Sequence, residues 1–136
     1  MSWVVDTCLL LDVALKDSVF GIPTAAFLDS LRDEGLTVCP VSLVEISPAF
    51  DGNPKEVRNF LRICGAESNE NWDADDTDAA AQAWARYVHL KKLGMSGRRP
   101  VADILIGGFA MRFQGLLTRN AGDFKPFFPR LRLRHP

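Results

Sequence analysis

The stretch Trp3-Val4-Val5-Asp6-Thr7-Cys8-Leu9-Leu10-Leu11 decides how this chain is read. Three bulky residues that favour strands run into a carboxylate, and an apolar run follows it. Thr7 is a helix-capping type. The pattern therefore predicts a short buried strand ending at Asp6, then Thr7 as the cap of a helix running from Cys8 through Ala14. An acid delivered to a strand–helix junction matters because open α/β sheets bind ligands beyond the carboxyl ends of their strands.

The same alternation continues along the chain. Pro23 opens a helix whose apolar residues are Ala25, Ala26, Phe27, Leu28 and Leu31, and Gly35 ends it. Leu36-Thr37-Val38-Cys39 reads as a second strand. Pro40 starts a short helix carrying Glu45, and Pro48 breaks it. Asn53-Pro54 is a cap followed by proline, opening a helix up to Ile63 and Gly65. Residues 67–78 read as a loop running into the N-terminus of a long helix with Ala79, Ala80, Ala83, Trp84, Tyr87 and Val88 on one stripe. Pro100 opens a strongly apolar helix that holds Asp103 in its first turn. Gly115-Leu116-Leu117-Thr118 is a third strand, and Leu131-Arg132-Leu133-Arg134 alternates like a final edge strand. Strands alternating with helices imply a mainly parallel sheet covered on both faces. The length of 136 residues fits one domain spanning 1–136.

Composition narrows the class. At 47% hydrophobic and 24% charged, the chain can bury a core without staples and is not disordered. Cys8, Cys39 and Cys64 make no CxxC and no zinc spacing, which points to free thiols in a reducing compartment. Asp6 and Asp12 interrupt the N-terminal apolar run, so no signal peptide is read there, and the expected location is the cytoplasm. The net charge is only −1, but its distribution is uneven. Residues 67–78 carry six acids and no Lys or Arg, and read as a solvated or partner face. Residues 112–136 carry six bases against Asp123 alone. A basic quarter beside carboxylates suits a polyanion, although an edge strand kept soluble by Arg gives the same pattern.

Four acids sit at the ends of apolar segments: Asp6, Glu45, Asp103 and Asp123. Ionised carboxylates beside a core are costly unless compensated, and hard divalent cations such as Mg²⁺ and Mn²⁺ prefer oxygen ligands. Each acid also has an ordinary explanation as a cap, a first-turn acid or a turn residue. The conjunction of four at strand–helix junctions is what points to a metal site. Asp12 is a secondary carboxylate near the same junction. No GxSxG, P-loop or GxGxxG occurs, and His89 and His135 are isolated, so nucleophilic-hydrolase and nucleotide-binding readings lack support.

Four segments, taken in order, resemble a PIN domain, and among PIN domains the small bacterial VapC-type toxins. They are Val4-Val5-Asp6-Thr7-Cys8-Leu9-Leu10, Val44-Glu45-Ile46, Ala102-Asp103-Ile104-Leu105-Ile106 with Ala110, and Leu117-Thr118-Arg119-Asn120 through Asp123-Phe124. The resemblance runs from Val4 to Pro136, and the last two segments are its most specific parts. Cys8 stands where the family often has a small hydroxyl residue. The resemblance implies a PIN-like three-layer sandwich and a metal-dependent endoribonuclease. Asp6, Glu45, Asp103 and Asp123 would be catalytic acids on Mg²⁺ or Mn²⁺, with Thr7, Thr118, Arg119 and Asn120 orienting carboxylates or substrate. It further implies an RNA substrate, a cognate antitoxin and a homodimer. Three other readings stay open. A degenerate PIN module would bind RNA or protein without cutting. A receiver-like signalling domain would want a Lys where Thr118-Arg119-Asn120 stands. An aspartate-nucleophile phosphatase would want an acid at Cys8.

Overall fold

A computed structural model describes all 136 residues. Five short strands form one fully parallel sheet: β1 (Trp3–Val5), β2 (Leu36–Thr37), β3 (Ala66–Glu67), β4 (Gly115–Leu117) and β5 (Leu133–Arg134). Their spatial order is β3-β2-β1-β4-β5. Six helices connect them: α1 (Thr7–Ala14), α2 (Gly21–Ser30), α3 (Pro40–Ile46), α4 (Pro54–Ile63), α5 (Ala74–Lys92) and α6 (Val101–Ala110).

The sheet is short but buried on both faces, as parallel sheets require. Trp3 and Val5 point into a core built with Leu9 and Leu10 of α1, Leu28 of α2, Ile46 of α3 and Leu61 of α4. Val4, on the opposite face, joins a core with Ala83 of α5, Phe109 of α6 and the C-terminal Phe124 and Phe128. The result is the expected three-layer sandwich, with α1–α4 on one side of the sheet and α5–α6 on the other. The α5–α6 pair packs closely because Gly108 lacks a side chain: a Cβ there would stand 2.9 Å from Ala80 Cβ. Gly107 makes similar room for the Phe128 ring. No helix is long and apolar enough to cross a membrane.

Local signals set most boundaries. Asn53 caps α4 by accepting from the Lys55 and Glu56 N–H groups at 3.0 and 3.3 Å. Pro40 is the first residue of α3, and α3 stops at Ile46 before a 3₁₀ turn over Ser47–Phe50 that contains Pro48. Gly35 (φ 93°) and Gly65 (φ 79°) take the left-handed conformation ahead of β2 and β3. Other expectations are corrected. Asp6, not Thr7, is the cap of α1. The 67–78 segment begins with a strand residue, Glu67 of β3, whose pairing comes from β2 rather than from its own sequence. On α2, Ala25 and Ala26 face solvent while Thr24 and Leu28 are buried.

The acidic stretch is not simply a solvated face. Asp73 and Asp76 form a reciprocal capping box at the start of α5. Asp76 is 1% exposed and takes a bidentate clasp from Arg112, whose Nε and Nη2 stand 2.8 and 3.2 Å from the two carboxylate oxygens. Arg112 Nη2 also donates to the Asn71 carbonyl, and the guanidinium lies over the Phe109 and Phe113 rings. Removing one partner of such a buried pair strands a charge, so Arg112→Ala should lower unfolding free energy by about 3 kcal/mol. Urea denaturation checks this; a loss within error of zero would mean that Asp76 is readily hydrated.

Candidate functional site

The sheet order places a switch point between β1 and β4, since the chain leaves β1 toward β2 and leaves β4 toward β5, in opposite directions. A crevice outside the carboxyl ends of these two strands is the expected ligand position. Asp6 follows β1 directly and Thr118 follows β4 directly, and the register Val5↔Leu117 sets them side by side. The Asp6 N–H donates to the Leu117 carbonyl at 2.9 Å, carrying the pairing one residue past the strand.

Asp6 is 4% exposed. Its Oδ1 accepts from the Thr7 N–H at 2.8 Å, and its Oδ2 accepts from the Thr118 hydroxyl at 2.7 Å. Thr118 Oγ1 in turn accepts from the Asn120 N–H at 3.0 Å. Asn120 thus acts here through its backbone. The Cys8 thiol donates to the same Oδ2 at 3.4 Å, a long version of the bond a hydroxyl residue would make there. Burial, and next the Asp6 charge, push the Cys8 thiol up to about 11, which leaves it protonated and a donor at neutral pH. Burial also raises the Asp6 carboxyl above its ordinary value, against the lowering pull of these hydrogen bonds.

Glu45 lies near the end of α3 and is exposed. It reaches Asp6's neighbour: Thr7 Oγ1 donates to Glu45 Oε1 at 2.6 Å. Thr7 has a single hydroxyl proton, so the buried Ser42 hydroxyl, 2.9 Å from Thr7 Oγ1, is the donor in that second contact. Ser42 was not singled out from the sequence. Its signal is its place three residues before Glu45, on the same helical face.

Asp103 occupies the first turn of α6 and is half-buried. Its carboxyl is pushed up to about 6, chiefly by burial, then by the charges of Asp6 and Asp123, with a smaller contribution from Glu45. The Arg98 charge pulls the other way. Asp123 ends the 3₁₀ turn Ala121–Asp123 after β4 and is exposed. Acids from three other segments thus act on one carboxyl. They are not gathered to a point: no three His, Cys, Asp or Glu side chains stand close enough to enclose an ion. Glu45 is engaged by Thr7.

Arg119 and Asp12 do something different from what the sequence implied. Arg119 Nη2 donates to Asp12 Oδ1 at 2.7 Å, and the guanidinium stacks 4.0 Å from the Phe20 ring centroid. The Thr24 hydroxyl donates to Asp12 Oδ2 at 2.9 Å. Asp12 is 5% exposed, so it belongs to a buried pair that pins the turn after β4 onto α1 and α2, not to the crevice. Three of the other five bases of the C-terminal quarter are committed in similar ways. Arg112 holds Asp76, while Arg132 and Arg134 lie over the Trp3 ring.

Two measurements probe this arrangement. Arg119→Ala should destabilise the fold by about 3 kcal/mol, because Asp12 is left buried without its partner. Adding Asp12→Asn should restore part of that loss in urea melts; a purely additive double variant would argue against a direct pair. Asp103 gives a pH signature. Its folded value of about 6 lies above the ordinary 3.8, so the folded state binds its proton more tightly than the unfolded chain. On its account, stability in EDTA is greatest below pH ~4 and is lost as pH rises through ~6. Melting temperature from pH 4 to pH 7 should fall more steeply for the wild type than for Asp103→Asn, and parallel curves would refute the assignment.

No family model matches the sequence, and no curated protein matches it. In fold the chain is similar to a chain of VapBC2 from Rickettsia felis, whose crystal structure is of the complex bound to a DNA fragment from their promoter. The TM-score is 0.72 over 99% of this chain and 98% of that one, at 18% identity. The likeness is one of fold, and it agrees with the PIN-like α/β sandwich described above.

Proposed function

We propose that this protein is a metal-dependent endoribonuclease of PIN type, the toxin half of a toxin–antitoxin pair. One observation carries the reading: Asp6, Glu45 and Asp123 all act on Asp103 at the switch point of a parallel sheet. The full-length likeness in fold to a chain of VapBC2 supports it. Each of the four side chains offers oxygen donors only, which is the chemistry that Mg²⁺ or Mn²⁺ takes. Asp6 and Asp103 would hold such an ion, with the exposed Glu45 and Asp123 reaching it through water. A divalent cation held there supplies Lewis acidity toward water and phosphoryl oxygen.

The chain's own residues have separate tasks in this proposal. Asp6 is fixed by Thr118, Thr7 and Cys8 and is the rigid ligand. Asp103 presents a second carboxylate from the first turn of α6. Thr7 and Ser42 orient Glu45, and Asn120 orients Thr118. Arg119 holds the turn in place through Asp12. An antitoxin and a second copy of the chain would use apolar residues left exposed, among them Val19 (67%), Ile22 (85%) and Val44 (72%). The proposed setting is the cytoplasm.

The rival reading is a PIN module that binds without cutting. It is favoured by the lack of three donors already at ligating separation. Cleavage of total RNA with Mn²⁺ against EDTA separates the two. Asp6→Asn and Asp103→Asn should each abolish cleavage while keeping the fold. Thr118→Val should weaken Mn²⁺ binding, read as a thermal shift, by about 10–100-fold. Millimolar Mn²⁺ should raise the wild-type melting temperature. Metal-dependent cleavage that persists in Asp6→Asn would sink the assignment.

A further inference from the structure

A cleft of about 220 Å³ opens between the loop before α6 and the turn after β4, and its lining includes Arg98, Asp103, Asp123, Met95, Pro126 and Phe127. Asp103 and Asp123 give it two carboxylates, so a phosphodiester entering it meets like charge. Arg98 is the one base on the lining. It is exposed and makes no hydrogen bond or ion pair. Neighbouring bases are already held elsewhere: Arg99 lies over the Trp84 ring at 5.5 Å, and Arg119 is held by Asp12. Two adjacent arginines thus have different surroundings, one stacked on α5 and one turned to the cleft.

We propose that Arg98 is a substrate-binding residue, which takes a backbone phosphate of RNA at the mouth of the cleft beside Asp103 and Asp123. The assignment rests on the ribonuclease reading above for its substrate class. Its physical basis is the planar guanidinium fork, which matches a phosphate's oxygens and keeps its charge at every working pH. The loop supports the role. Gly94 and Gly97 take left-handed backbone angles (φ 100° and 122°), with open space where a Cβ would stand, while Met95 between them packs against the core and anchors the loop. Arg98 shares the lining of this cleft with the two carboxylates it would work beside.

The test compares wild type, Arg98→Ala, Arg98→Lys and Arg130→Ala. Arg130 is a control at the opposite, amino ends of the strands, near Met1 and Gln114. Fluorescence anisotropy measures binding of a labelled single-stranded RNA in EDTA across a salt series. Cleavage of total RNA in Mn²⁺ is measured in parallel. Arg98→Ala should weaken binding by about tenfold and lower the salt slope by about one. Arg98→Lys should recover part of the affinity, Arg130→Ala should bind like wild type, and melting temperatures should stay level. Wild-type affinity and slope in Arg98→Ala overturn the proposal. If wild type binds RNA through Arg98 but never cleaves it, the nuclease reading fails and the Arg98 assignment survives. If wild type neither binds nor cleaves, both fail.

Discussion

The pairing of β1 with β4 is the constraint on which the rest of the structure depends. It buries Val4, Val5, Leu116 and Leu117 completely and leaves Asp6 and Thr118 as the first residues beyond a two-sided core. A carboxylate there has little water to solvate it. It is held by the start of a helix, a threonine hydroxyl and a thiol, all within 3.4 Å. These contacts fix its position, while burial still raises its proton affinity. The site is thus a place where the packing of the sheet creates an electrostatic demand that hydrogen bonds only partly meet.

Arginines show how far charge along a sequence differs from charge in space. The acidic segment 67–78 and the basic segment 112–136 look like two separate surfaces. In the fold they partly cancel, because Arg112 reaches across to Asp76, Asp73 and Glu70. Arg119 is drawn onto Asp12, and Arg132 and Arg134 cover Trp3. A buried carboxylate with a fixed partner outcompetes solvent for the guanidinium, because the carboxylate has already lost its water. Most of the apparent basic patch is therefore structural.

Much of the architecture was legible from punctuation and periodicity. Pro40, Asn53-Pro54, Gly35 and Gly65 mark element ends for backbone reasons that do not depend on distant contacts. The apolar runs at Trp3–Val5 and Gly115–Leu117 could only be buried strands at that length. The misses share a cause. Ala66–Glu67 has no strand preference of its own and pairs because Leu36–Thr37 is beside it. Thr24 faces inward, in place of Ala25 and Ala26, because Asp12 needs its hydroxyl. Ser42 was missed because its one signal, the helical spacing to Glu45, is shared by many serines that do nothing of the kind.

By itself the sequence determined that strands and helices alternate, and that four acids fall at their junctions. Both follow from local preferences, which act over a few residues. Only the tertiary structure decided which of those acids share a field, which arginines are already bound, and which base is left facing the cleft. Those outcomes depend on strand order and burial. Electrostatic interaction is governed by distance through a low-dielectric interior, and separation along the chain does not encode that distance.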